Sequence, residues 1–516
     1  MIVALYAVLS TLHPGGTGYD QGVGFLTWQS MQKGSPPNYI RAPDPAEISR
    51  DVLEFNAWWS PGQYVVPAIF SLFGASLGTG MLLTTILFSV SGVLGYFRLF
   101  KQLGFSEGTV SVGCALIVSS AGFALSFGNY SGGEVLLFGA CPWILSLCLE
   151  DKEIDHRRAA LLVLVFLAGS FLKTSFSVYA LGIVSALILA RAMTRGDADY
   201  RDLWWYSVKA IGVFAMFYTI LYLGYLSWGR HPGMPHGFRL SVLGVLVPLS
   251  LGPLNALLVA DLVERMKFPV NGARLVHLAG AASLPALLYL IWKSRRIAPI
   301  YKSLVLGMSI AYAVVFAYLY LTQTLVSHEA RHFVPLGLIL IPGAVQIWTE
   351  SSFRILRVML AVTVLVGGVH GIRTFWLLHQ QNALSKSIGS LGFAQAGISA
   401  AALRALRVLD ERLSHGNNLF FVPSPEIAVE IQRNRVFNAH LKSADGRYHG
   451  RVDNVFVLVR GDRSSDGEEA AELARFADYP VSEWQRIRLE SSSLYFQGRL
   501  ELSQIEGWLG TAARGS

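Results

Sequence analysis

Long apolar runs recur along the first three quarters of the chain, separated by short polar loops. Each is close to the roughly 20 residues that a helix needs to cross a bilayer. The first run, Met1 to about Leu12, is short for a span and is expected to be part of a first crossing that begins before this numbering. Further spans are expected at about 77–99, 108–127, 131–149, 158–172, 175–193, 204–228, 275–292, 302–322, 333–348 and 354–376, which makes about eleven. Two longer segments interrupt the series, 13–62 and 229–273. The second contains an apolar stretch near 240–260.

From about residue 378 the pattern changes. AALRALRVLDERL has the period of an amphipathic helix, and GEEAAELARFADY reads as another. NLFFVP and NVFVLVRG read as buried strands, and WQRIRLESSSLYFQGRLEL reads as a hairpin. The expected fold class is a polytopic α-helical membrane protein with about eleven transmembrane helices and a small C-terminal α/β domain. The membrane domain would take residues 1–377 with loops 13–62 and 229–273, and the α/β domain residues 378–516.

Charge orients this arrangement. Of the 516 residues 53% are hydrophobic and only 15% charged, below the quarter or so usual in soluble domains. The net charge of +8 does not imply nucleic acid, because the basic residues cluster in short loops between apolar runs. Arg98 and Lys101 share one loop, and Lys152, Arg157 and Arg158 another. Arg191, Arg195 and Arg201 follow, then Lys293, Arg295, Arg296 and Lys302, then Arg354 and Arg357. All five loops fall on one side if 240–260 does not cross, so that stretch is expected to be an external or re-entrant helix. The positive-inside rule makes the five loops cytoplasmic. The two long loops and the C-terminal domain are then extracytoplasmic, in a multi-pass protein of the inner (plasma) membrane. Cys114, Cys141 and Cys148 all lie in apolar runs, with no disulfide framework or zinc spacing.

Candidate chemistry gathers on the outer side. Asp20, in GYDQG, reads either as a turn residue or as a general base at the membrane surface. Its loop carries further acids, including Glu54, and ends in WWSPGQYVVPAIFSLFG. There Trp58 and Trp59 suit an interface, and the following apolar segment is expected to lie along the membrane. HEARHFVP places His328, Arg331 and His332 at a membrane face. Arg331 either pairs with Glu329 or clamps a phosphate with its planar fork. Lys173 either snorkels or touches a phosphate. Glu134 either caps its helix or lines a site. His231 and His236 form only a weak metal-site pattern. There is no P-loop, GxSxG, HExxH or redox CxxC motif.

These features resemble the GT-C class of polytopic glycosyltransferases, which use polyprenyl-phosphate-linked sugars. The likeness spans the membrane part. It rests on Asp20 after the first span, on SPGQYVVPAIFSLFG before LGTGMLLTTILFSVSGVLGYFRLFKQLGF, and on HEARHFVPLGLILIP. The single clean acid departs from the adjacent acidic pair of protein mannosyltransferases, which argues against protein mannosylation. The resemblance implies an inverting displacement at the anomeric carbon, with a polyprenyl-phosphate sugar as donor substrate and a glycan, lipid or protein as acceptor. It implies Asp20 as base, with Glu54 and Glu134 as second acids. Arg331, His328, His332 and Lys173 would take the donor's phosphate. Asp20 and Arg331 would then face one cavity. No resident cofactor is implied, and a divalent metal is left open. Expected partners are membrane lipids, the lipid-linked donor, the acceptor and membrane proteins. The rival readings are a transporter or flippase of a lipid-linked or anionic substrate, and a structural membrane subunit. No internal repeat of the transporter kind is visible, and a large outer domain suits an enzyme better.

Overall fold

The computed structural model describes residues 2–13, 15–57, 59–150, 153–194, 200–229, 237–240, 242–265, 270–324, 329–351, 354–384, 387–395, 398–437, 445–460 and 466–514. His231, His236, His328 and Trp58 lie outside them. The chain forms two compact units. One comprises Met1–Thr11 and Leu83–His379, the other Leu12–Leu82 and Gln380–Ser516.

The first unit is helical. Among the described residues, seven helices of the chain are long and apolar enough to cross a membrane: Leu77–Gln102, Phe176–Thr194, Tyr200–Trp228, Leu275–Lys293, Pro299–Leu321, Ala330–Glu350 and Ala361–Ala383. Each overlaps an expected span. The other four expected spans are shorter helices: Ile2–Leu12, Glu107–Ser119, Gly133–Cys148 and His156–Leu172. At 1.5 Å per residue these reach roughly 16–26 Å, less than a full hydrocarbon core. The run at 108–127 breaks at Ser120, whose backbone is extended (φ −77°, ψ 150°) and whose Oγ accepts from Phe123 N at 3.0 Å. That cap starts a new helix, Ala121–Ser126, in the middle of an apolar stretch. The stretch near 240–260 forms Val242–Ala256, a helix of 15 residues holding Pro248 and Pro253.

Small residues allow close helix packing where water provides no driving force. Phe176–Thr194 and Pro299–Leu321 meet at Gly182 and Gly307. A Cβ on Gly307 would lie 2.7 Å from Ala186 N, so only glycine lets the two backbones approach this far.

The second unit joins the first long loop to the C-terminal segment. Helix Tyr19–Gln32 leads into an antiparallel hairpin of β1 (Tyr39–Asp44) and β2 (Glu47–Phe55). Helix Gly62–Ile69 follows, with a last turn at Phe70–Phe73. Leu72 and Phe73 there are 82% and 83% exposed, which suits a segment lying against lipid. The C-terminal part supplies β3 (Asn418–Phe421), β4 (Arg435–Phe437), β5 (Asn454–Arg460), β6 (Gln485–Leu489) and β7 (Ser492–Gly498). They form one sheet in the order β4-β3-β5-β7-β6. β3 runs parallel to β4 and β5, and β7 is antiparallel to β5 and β6. Helices Ala400–Arg412 and Asp466–Leu473 match the two amphipathic sequences, and the β6–β7 hairpin matches the expected one. The core gathers Leu419, Phe421, Phe437, Tyr448 and Val455 around Ile48, which comes from the hairpin. Ile48 N also donates to His449 O at 2.7 Å.

Two buried carboxylates fix the loops of this unit. Asp410 accepts from the backbone N–H groups of Gln432 (2.7 Å), Arg433 (2.9 Å) and Asn434 (2.9 Å). Glu430 accepts from Ser390 N and Oγ, both at 2.8 Å, and pairs with Arg407 at 3.1 Å. A buried carboxylate is tolerable because its lone pairs are occupied in this way.

Candidate active site

In the helical unit, Glu134, Lys173, Arg331 and His332 come to one cavity. Helix termini place them. Gly132 takes a left-handed turn (φ 72°) before helix Gly133–Cys148, which puts Glu134 in the first turn, where a negative charge is favoured. Lys173 ends helix His156–Leu172 in an extended conformation (φ −157°, ψ 126°). Phe176 N then donates to Lys173 O at 2.9 Å and starts the next helix. Arg331 and His332 lie in the turn Ala330–Phe333, ahead of Val334–Glu350. Lys173 stands at the end of its helix opposite Arg157 and Arg158, so the cluster lies away from that basic loop.

Glu134 is the hub. Its carboxylate is ion-paired with Lys173 Nζ, and Arg331 Nη1 lies 4.0 Å from Oε1. Arg331 also pairs with Glu329. Arg331 therefore has the expected acidic partner and also lines the cavity. The four charges cancel, so an entering phosphate would compete with carboxylates for the two cations. The rest of the wall is aromatic and aliphatic, with Tyr96, Phe127, Phe138, Tyr179, Tyr312 and Phe316 among its residues. Phe127 and Phe138 stack at 4.2 Å between centroids, and Phe316 lies 6.0 Å from the His332 ring. An apolar pit with a few convergent charges has the general form of a small-molecule site. Sequence reasoning missed the tyrosines, since aromatic residues in apolar helices give the same signal in a core as in a lining.

Asp20 and Glu54 belong to the second unit. Asp20 is half-buried in the first turn of helix Tyr19–Gln32. Gln21 Oε1 accepts from Gly18 N at 2.9 Å and closes that helix start. A Cβ on Gly22 would lie 2.5 Å from Glu426 N, so the glycine lets this helix rest directly on the Pro425–Ala428 turn. Partial burial, together with the negative fields of Asp20 and Glu426, pushes the neighbouring Tyr19 phenol up to about 12. Glu54 stands on β2, in register with Ile40 of β1. Among the described residues no three His, Cys, Asp or Glu side chains gather as metal ligands.

No family model matches the sequence, and no curated protein does. Solved structures do match. The apo oligosaccharyltransferase of Archaeoglobus fulgidus aligns with 96% of this chain and 74% of its own, at TM-score 0.52 and 13% identity. ArnT from Cupriavidus metallidurans, solved with undecaprenyl phosphate, aligns with 96% of this chain and 97% of its own, at TM-score 0.49 and 10% identity. The arabinofuranosyltransferase AftD from Mycobacteria covers 97% of this chain, which spans 40% of that protein, at TM-score 0.48 and 14% identity. At such identities the likeness is one of fold, and the first of the three carries it. The chain has the polytopic fold of the GT-C class of membrane glycosyltransferases.

Proposed function

We propose that this protein is a membrane glycosyltransferase that moves a sugar from a polyprenyl-phosphate donor to an extracytoplasmic glycan, lipid or protein. The observation that carries this reading is the cavity of the helical unit, where Lys173 and Arg331 flank Glu134 in an otherwise largely aromatic and aliphatic wall. The GT-C fold supports it.

The chemistry follows from charge. The acceptor hydroxyl attacks the anomeric carbon and gives its proton to Asp20. The bond from that carbon to the phosphate oxygen breaks, and its electron pair leaves with the lipid phosphate. One displacement inverts the anomeric centre. A singly charged diester becomes a doubly charged monoester, so negative charge grows on the phosphate during the reaction. Arg331 and Lys173 stabilise that growing charge, and His328 and His332 assist as hydrogen-bond donors. Glu134 holds both cations in place until phosphate replaces it. Glu54 and Glu134 are the reserve acids. The second unit is extracytoplasmic. The membrane is the inner (plasma) membrane.

The test is transfer by purified protein from polyprenyl-phosphate sugars to a panel of envelope glycans and lipids. The reading predicts that free polyprenyl phosphate and an inverted glycosidic linkage appear together. A protein that moves the intact donor across a vesicle membrane without cleaving it is a flippase, and glycosyl transfer is then rejected.

A further inference from the structure

The second unit carries a basic pocket that the proposed chemistry does not use. Its walls come from four stretches: the C-terminal half of helix Tyr19–Gln32 with Lys33, strand β1, Asp51 of β2, and the edge strand β4 with the residues just before it. Lys33, Arg41, Arg433 and Arg435 line it, against a single carboxylate, Asp51. Arg435 takes up that carboxylate at 2.7 Å and also donates to Asn417 Oδ1 at 2.5 Å. Among the described residues, Lys33, Arg41 and Arg433 form no ion pair. The lining therefore carries three more positive charges than negative, the three unpaired ones on exposed side chains, with the buried carboxylate of Asp410 behind Arg433 as the next negative charge.

The walls are tied together. Gln29 Nε2 donates to Ile431 O at 2.8 Å, joining the helix to the stretch before β4. Ser30 Oγ accepts from Arg41 N at 3.1 Å, joining it to β1. Buried Asp410 holds the backbone of Gln432, Arg433 and Asn434. The space between the walls is about 760 Å³ including its mouth, with Leu26, Ile40 and Val436 as apolar patches. Like charges held around one preformed space repel each other, and an anion placed there removes the repulsion. The arginine forks match phosphate oxygens, and the apolar patches match the C–H face of a sugar ring.

We propose that this pocket binds the phosphate group of an anionic ligand, borne either by a soluble phosphorylated saccharide or by a lipid headgroup. The inference rests on the pocket's own residues and does not depend on glycosyl transfer.

The experiment is a binding titration of the full chain in phosphatidylcholine nanodiscs, with glucose 6-phosphate as probe and glucose as neutral control. The variant is the double substitution Lys33→Ala, Arg433→Ala. Both side chains are exposed, so their removal leaves the core intact, whereas Arg435 is kept because it holds Asp51 and Asn417. Glucose 6-phosphate is expected to bind saturably and more weakly at higher salt, and glucose not to bind. The double variant should weaken the phosphate ligand by about tenfold or more. A second arm replaces part of the phosphatidylcholine with phosphatidylglycerol. Loss of probe affinity in those discs assigns the site to a lipid headgroup phosphate, and unchanged affinity assigns it to a soluble one. Equal binding of glucose and glucose 6-phosphate, or wild-type affinity in the double variant, overturns the proposal.

Discussion

A charged side chain in an apolar stretch is costly, so each such residue invites a functional question. That logic made Glu134, Lys173 and Arg331 legible in the sequence, and the structure brings all three to one cavity. It could not reveal that Glu134 joins the two cations, because their segments are far apart in the chain. Nor could it find Arg433, whose pocket is completed by residues near position 40. Two residue-level predictions follow from the assigned roles. Asp20→Asn removes the proton acceptor with little change in size, so kcat should fall about 10²–10⁴-fold while donor affinity survives. Steady-state kinetics with varied donor would check this, and near-normal kcat would move the base role to Glu54 or Glu134. Arg331→Lys keeps the charge but loses the planar fork. Donor KM should rise and kcat fall, with kcat/KM down roughly tenfold to a hundredfold. Unchanged kinetics would leave Arg331 as only the partner of Glu134 and Glu329.

Periodicity located the helices well but did not fix their lengths. The apolar run at 108–127 reads as continuous, yet the Ser120 cap divides it, since a serine hydroxyl offers the backbone an alternative partner even among apolar neighbours. Four of the five strands of the C-terminal sheet were legible, because alternating and buried β-branched or aromatic runs have few other uses, whereas β4, only three residues long, was not. The place of Ile48 in that core was not, because an isolated apolar residue in a polar loop carries no label of its destination. Loop rigidity in the same unit depends on Asp410, a residue that looks like a solvated position on a charged helix. Asp410→Ala should leave three backbone N–H groups without their acceptor and lower stability by roughly 2–4 kcal/mol. Scanning fluorimetry of the full chain should show an earlier transition. An unchanged profile would mean that the backbone at 432–434 finds other partners.

At the scale of the whole molecule, the chain has the GT-C fold and, among the described residues, seven helices long and apolar enough to cross a membrane, while sidedness rests on the basic loops. That frame predicts that Arg295→Cys is protected from an impermeant thiol reagent in intact cells and that Glu468→Cys is labelled. The native cysteines, Cys114, Cys141 and Cys148, are buried and need no removal. Labelling at position 295 in intact cells would invert the frame. The central claim, a lipid-phosphate donor held at the cavity of the helical unit, is tested most directly by a cryo-electron microscopy map of the full chain with a bound polyprenyl-phosphate sugar. The account predicts phosphate density within hydrogen-bonding distance of Arg331 and Lys173, with Lys173 drawn away from Glu134. Phosphate density elsewhere, with the Glu134–Lys173 pair intact, would contradict it.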